Sequence, residues 1–351
     1  MGLTRTAVRL GAWAAPGGLP VLRRLIRARL GGVFGDVPYS PARAPGDPGL
    51  HGPGSATWQV IGDPAAIVGG VRGLLVQVLH PLAMAGVADH SAFERDPLGR
   101  LQRTAGYVTV TAFGALDEVL EAASFVRRRH VPVVGDAPDG RAYRAEDPTL
   151  LAWVSIALTE SFLATDAAFA ARPVRGAQAD AFVYEQSRLA ALLDPRVDLK
   201  AIAGDPASRR ALRAGSLRLP MLDGGTLPTT VAGLRERMAA FEPELQLSEQ
   251  GHRAMAFLRR PPLEPAVALA YRPIVEGALA TVPRERRRAC GWRADPLTDR
   301  AALATTFGLV NGLRLGAGRS GSVQVAEARV AAGEPAGTGS ESRWDDADAV
   351  A

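Results

Sequence analysis

The chain has 351 residues, 47% hydrophobic and 22% charged, a balance that excludes a disordered polymer and allows one large domain or two small ones. The 41 basic residues outnumber the 36 acidic ones for a net charge of +5, but all except Lys200 are arginines spread along the chain in runs no longer than Arg127–Arg129 and Arg286–Arg288, so no nucleic-acid partner is expected. The single cysteine, Cys290, excludes an intrachain disulfide and any cysteine-built zinc or iron–sulfur site, and fits a reducing, cytoplasmic compartment.

Residues 1–56 read as an N-terminal arm, partly irregular. Arginines alternate there with apolar residues, but Gly11, Pro16, Gly17, Gly18 and Pro20 interrupt the run, so neither a signal peptide nor a membrane span is favoured. No stretch reaches the roughly 18 uninterrupted apolar residues of a transmembrane helix. Peripheral membrane contact by the arm stays open, as an amphipathic basic segment would allow.

The core domain is expected over 57–317. Asp63-Pro64 suits a helix start, because Asp accepts free amides and Pro fits the first turn. Ile67, Val71, Leu74, Leu75, Val78 and Leu79 then keep helical spacing until Pro81 forces a break at His80. Further helices are predicted at 98–111, 115–130 and from Asp147-Pro148 to about 171. More follow at 178–193, 229–241, 248–259, 265–280 and 298–314. Alternating β-branched runs are lacking, so the fold class is all-α, a single multi-helix bundle. Residues 318–351, rich in Gly, Ser and Ala, read as a flexible tail.

Most catalytic motifs are missing. There is no H-E-x-x-H, P-loop, G-x-S-x-G or C-x-x-C-H. Gly316–Gly321 matches G-x-G-x-x-G but follows a helix rather than a strand, so it is set aside. Of five histidines, His80, His90 and His130 lie in the densest part of the core, and His130 shares the apolar stripe of Leu116, Val119, Leu120, Ala123 and Val126. In the 98–111 helix, Arg100, Arg103, Thr104, Tyr107 and Thr111 share one face. That stripe is either a solvated face or a polar wall over a cofactor. An axial histidine, an arginine-bearing wall and an apolar surround are what a non-covalent haem pocket needs: one nitrogen for iron, arginines for propionates, apolar packing for the ring.

An ordered set of segments carries a resemblance. These are Gln77-Val-Leu-His80-Pro81, Gly86-Val-Ala-Asp-His90-Ser-Ala-Phe93, Gly99-Arg100-Leu-Gln-Arg103-Thr104, Phe113-Gly114, Val126-Arg127 to His130, and Tyr143-Arg-Ala-Glu-Asp147-Pro148. Leu151-Ala-Trp153-Val154, Leu227-Pro228, Pro261-Pro262, Leu279 with Pro283, and Gly291-Trp292 continue the set. The set resembles the catalytic domain of the rubber oxygenase (latex-clearing protein) and MpaB-type oxygenase family over about residues 55–300. The resemblance implies an all-α domain around one haem b. It implies His130 as the axial iron ligand and Arg100 and Thr104 as pocket residues. Arg103 stands where a rubber oxygenase has a lysine that caps the distal iron face. A guanidinium stays protonated and is a poor ligand, so the distal position is expected to be open or water-bound.

The resulting expectation is a haem b-dependent oxygenase that oxidises or cleaves a C=C bond of an apolar, isoprenoid-like substrate with dioxygen. Arg100, Arg103 and Thr104 are the candidate catalytic residues. His130, Arg100, Thr104, Tyr107, His80, His90 and Trp153 are the candidate cofactor-binding residues. The alternatives are a non-catalytic haem carrier or sensor and a cofactor-free helical interaction domain.

Overall fold

The computed structural model of the chain describes residues 37–40, 42–91, 97–293 and 295–333. In chain order these form α1 (Ala56–Gly62), α2 (Ala65–Gln77), α3 (Pro81–His90), α4 (Pro97–Phe113) and α5 (Leu116–His130). The hairpin β1 (Val134–Asp136) and β2 (Ala142–Arg144) follows, then α6 (Pro148–Phe169) and α7 (Ala177–Ala191). Next come α8 (Leu199–Gly204), α9 (Pro206–Ala214), α10 (Pro220–Asp223) and α11 (Val231–Phe241). The chain continues through α12 (Glu249–Arg259), α13 (Pro265–Ala280), α14 (Arg284–Ala289), α15 (Pro296–Ala317) and α16 (Gly321–Ala331). The fold is all-α. Its one sheet among the described residues is the antiparallel β1–β2 pair, with Val134 opposite Arg144 and Gly135 opposite Tyr143.

Local chemistry sets the boundaries. Asp147 accepts from the amides of Thr149 (2.7 Å) and Leu150 (3.3 Å), and Pro148 occupies the first turn of α6. Asp198, Asp205 and Asp295 do the same work for α8, α9 and α15. His80 takes an extended conformation (φ −89°, ψ 114°) before Pro81, which separates α2 from α3 as the proline requires. At Asp63-Pro64 the axes of α1 and α2 turn by 89°.

The centre is an antiparallel pair, α2 against α6. Gly69 faces Phe162 and Thr165, Gly73 faces Leu158, and the indole of Trp153 donates to the Gln77 carbonyl (3.4 Å). A Cβ at Gly69 would lie 2.6 Å from the Phe162 ring and one at Gly73 2.6 Å from Leu158 Cδ2, so the absence of side chains there allows the close approach. On its other side α2 buries Val68, Val71 and Leu75 against Val275, Ala278 and Leu279 of α13 and Val310 of α15. Leu151, Trp153 and Ile156 of α6 enter a larger core with Leu116, Val119 and Leu120 of α5, Val183 and Leu189 of α7, and Leu234 and Met238 of α11. By length and composition α6 could cross a membrane, yet 61% of its apolar window is buried. In this fold it is the helix around which the others assemble.

Buried arginines tie distant segments together. Arg314 of α15 donates to both Asp63 oxygens (2.7 and 3.2 Å) and to the Phe169 carbonyl (3.0 Å), joining the α1–α2 corner to the end of α6. Arg287 grips Asp299 through two bonds (2.8 and 2.6 Å). Arg72 forms a bidentate pair with Glu160 and also donates to Ser161 (2.7 Å).

The tail expected from Gly318 is corrected for its first part. Residues 321–331 form α16, with Ala326 and Arg329 fully buried. Arg329 donates to the carbonyls of Asp47 (2.8 Å) and Phe113 (2.7 Å), and these bonds outweigh the helix-poor composition. Residues 334–351, and 1–36 of the N-terminal arm, lie outside the described residues. Gly316 falls in the last turn of α15 and Gly318 follows it at φ +69°, so the G-x-G-x-x-G stretch is a helix-to-helix connection.

Candidate active site

The arginine–threonine helix and the His130 helix form one unit, the α4–α5 hairpin, joined by Gly114 and Ala115 alone. Its base is fixed. A Cβ at Gly114 would lie 2.6 Å from the Val110 carbonyl, so the turn needs glycine. The Glu118 carboxylate reaches back to the Ala115 amide (2.8 Å). Phe113 is buried edge-on against Trp58 (5.4 Å), and Arg329 holds the Phe113 carbonyl.

Cover falls away from the base. On α4, Thr111, Ala112 and Phe113 are buried, whereas 104–110 are all only part-covered. On α5 the predicted stripe is buried at Leu116, Val119, Leu120 and Ala123, and Val126 and His130 further along are part-covered. A Cβ at Gly106 would meet nothing within 4 Å, so there is room along α4.

Two polar groups in this region are notable. The Tyr107 hydroxyl is buried with no hydrogen-bond partner among the described residues, and burial pushes its pKa up, so it stays a protonated donor. Thr111 does not serve it, since its own hydroxyl back-bonds to the carbonyls of Tyr107 (2.8 Å) and Val108 (3.2 Å). His130 ends α5. Burial lowers the pKa of its imidazole, and Glu146 opposes that effect. The neutral ring that results is the form that ligates a metal.

The other predicted positions divide between this hairpin and other elements. Thr104 is part-covered and Arg103 exposed on α4, while the side chain of Arg100 lies outside the described residues. His80 and Trp153 form a separate buried aromatic cluster with Phe241: His80–Trp153 centroids are 5.5 Å apart and Trp153–Phe241 5.2 Å. Both ring nitrogens of His80 are buried without a hydrogen bond. The nearest charge is Glu244, 3.8 Å from Nε2, and burial lowers the His80 pKa despite it. His90 is exposed at the end of α3, with Nε2 3.1 Å from the Val134 carbonyl and its ring edge-on to Tyr143 (6.2 Å). It braces the β-hairpin, as does the bond from Tyr143 to Asp89 (2.6 Å).

Sequence reasoning passed over Glu146, the charge beside His130, because it stands before Asp147-Pro148 and looks like a loop residue. It also passed over His51, whose two ring nitrogens are buried without partners and whose pKa falls to about 3. No signal marks His51, which lies in a Gly-Pro-rich loop.

Among the described residues no group of three or more His, Cys, Asp or Glu side chains could hold a bare metal ion. What this hairpin offers is a lone neutral imidazole, a buried hydroxyl donor and part-covered apolar surface. The family model for the catalytic domain of ER-bound oxygenase mpaB/B' and rubber oxygenase matches residues 58–312. The chain belongs to this family. Searches of curated proteins and of solved structures found no match. Membership makes the domain an oxygenase of the oxidoreductase class. The family match runs from the first turn of α1 into the last turns of α15, so it includes the whole α4–α5 hairpin and leaves out α16.

Proposed function

We propose that this oxygenase holds one haem b non-covalently, with His130 as the residue that would ligate its iron, and oxidises or cleaves a C=C bond of an apolar, isoprenoid-like substrate. The observation that carries the reading is that the two helices of one hairpin supply a part-covered imidazole, kept neutral by burial, at the end of α5 and a buried, unpartnered Tyr107 hydroxyl on α4. A buried hydroxyl without a partner costs about 1–3 kcal/mol, a loss that a ligand's oxygen atoms would recover. A single imidazole also suits a porphyrin, which brings four nitrogen ligands of its own, better than it suits a bare ion.

When bound, haem would supply the activation of dioxygen. The chain's residues would do the rest. His130 would hold the iron from the end of α5, with Glu146 tuning the basicity of its ring. Arg100 and Arg103 supply cationic groups for propionates. Tyr107 donates a hydrogen bond, and Thr104 orients polar groups on the same helix. The part-covered apolar residues of 104–110, with space at Gly106, would bed the substrate and keep water out.

The test is oxygen uptake by haem-loaded protein given a polyisoprenoid, with carbonyl products identified by mass spectrometry. Uptake coupled to carbonyl ends supports the reading. Haem binding without uptake on any isoprenoid would leave a carrier or sensor, and failure to bind haem would leave the oxygenase without this cofactor.

A further inference from the structure

The last turns of α5 and the hairpin behind it expose three large apolar side chains. Phe125, Val131 and Val134 are 52%, 57% and 43% exposed. They are three of the seven large apolar side chains so exposed among the described residues, and they fall within ten positions of one another. Exposed Pro132 lies between them. Val134 pairs across the sheet with Arg144, and both lie on the outer face of the hairpin, opposite the buried Tyr143.

Arginines flank these side chains along α5 and across the sheet. Arg128 and Arg129 are exposed on the turns that carry Phe125, and the Arg129 guanidinium lies 5.8 Å from the Phe125 ring centroid. Most nearby carboxylates are engaged: Glu121 pairs with Arg43, Asp139 with Arg141, and Glu146 faces His130. Asp136 shares the outer face of β1, at its far end. Among the described residues none of Arg128, Arg129 and Arg144 makes an ion pair. Arg127 differs, since its donors are held by the carbonyls of Pro195 (2.8 Å) and Val197 (2.7 Å).

We propose that this patch is a peripheral docking surface for an anionic phospholipid bilayer. Arginine recognises lipid phosphates through two parallel hydrogen bonds, and Phe and Val beside it can enter the boundary between headgroups and acyl chains. The centre of a protein interface, by contrast, is depleted in charge unless a partner neutralises it. The proposal does not depend on the cofactor. Docking would set the His130 end of the α4–α5 hairpin against the bilayer, where an apolar substrate is concentrated.

The test is co-sedimentation of the full chain with phosphatidylcholine vesicles, with and without phosphatidylglycerol. Binding is expected to need the anionic lipid and to fall with salt. Arg128→Gln/Arg129→Gln/Arg144→Gln should weaken it on the order of a hundredfold. Phe125→Ser/Val131→Ser should weaken it about tenfold. Arg210→Gln/Arg218→Gln/Arg235→Gln removes the same charge from exposed sites elsewhere and should bind like the parent. All the substituted residues are exposed, so melting temperatures should stay near that of the parent. Equal loss in the control triple, unchanged binding in the patch variants, or no binding by the parent would overturn the proposal. So would a dimer that the patch substitutions abolish, since the surface would then be a protein interface.

Discussion

A Cβ built on Gly69 would stand 2.6 Å from Cδ1 of Phe162 and 2.7 Å from the Thr165 hydroxyl, so α2 and α6 meet with no space for a side chain. Gly69→Leu should therefore force the pair apart and cost about 2 kcal/mol, a fall in Tm of roughly 4–8 °C. Gly70, one residue on, has nothing within 4 Å of its would-be Cβ, and Gly70→Ala should add about 0.5–1 kcal/mol through helix propensity. Thermal melts of the two variants check both signs.

The Arg314–Asp63 pair is largely covered and joins residues 251 apart in sequence. Arg314→Ala leaves the mostly covered Asp63 carboxylate without its cation and should cost about 3 kcal/mol. Asp63→Ala should cost a similar amount. The double variant should lose much less than the sum of the two, as a urea-denaturation cycle would read.

The sequence showed the long helices well, because Asp147-Pro148 and the Pro81 break are local signals and the apolar spacing of α4 and α5 extends over several turns. The hairpin at 134–144 and the short α8 and α9 were passed over although their signals were present: Pro138-Asp139-Gly140 for the turn, Asp198 and Asp205-Pro206 for the caps. α16 was not legible at all. It depends on Arg329 reaching Asp47 and Phe113, contacts made 282 and 216 residues away. The site was legible in part. The stripe from Arg103 to Thr111 reads equally well as a wet face or a pocket wall, and the structure divides it, exposing Arg103 while burying Thr111 and the Tyr107 hydroxyl. The separation of His80 and Trp153 from that helix comes from the course of α6 and α11, which no local pattern encodes.

Stability should fall in mild acid. An unfolded imidazole takes its proton near pH 6.5, whereas folded His51 does so only at about 3. Below 6.5 the unfolded chain then binds more protons, so the contribution of His51 is fully present above 6.5 and is lost as the pH falls toward 3. The slope from this one residue is up to about 1.4 kcal/mol per pH unit. The lowered pKa values of His80 and His130 act in the same direction. His51→Leu should shrink the stability difference between pH 7.5 and 5.5 by about 1 kcal/mol, measured by urea unfolding at both. Equal differences in the two proteins would refute the assignment.

Tyr107 separates folding from function. With no partner for its hydroxyl, Tyr107→Phe should leave the apoprotein as stable as the parent or raise it by about 1 kcal/mol. If the hydroxyl serves a ligand, the same change should weaken haem retention or oxygen uptake. A variant that destabilises the apoprotein would show that the hydroxyl has a structural partner instead.

Ligation of haem by His130 is read in the visible absorption spectrum of the purified protein, as isolated, after haem addition and after dithionite reduction. A Soret band stoichiometric with protein is expected, abolished or shifted by His130→Ala and left in place by His80→Ala. A protein that stays colourless with added haem, or a His130→Ala variant with the parent's spectrum, would contradict it.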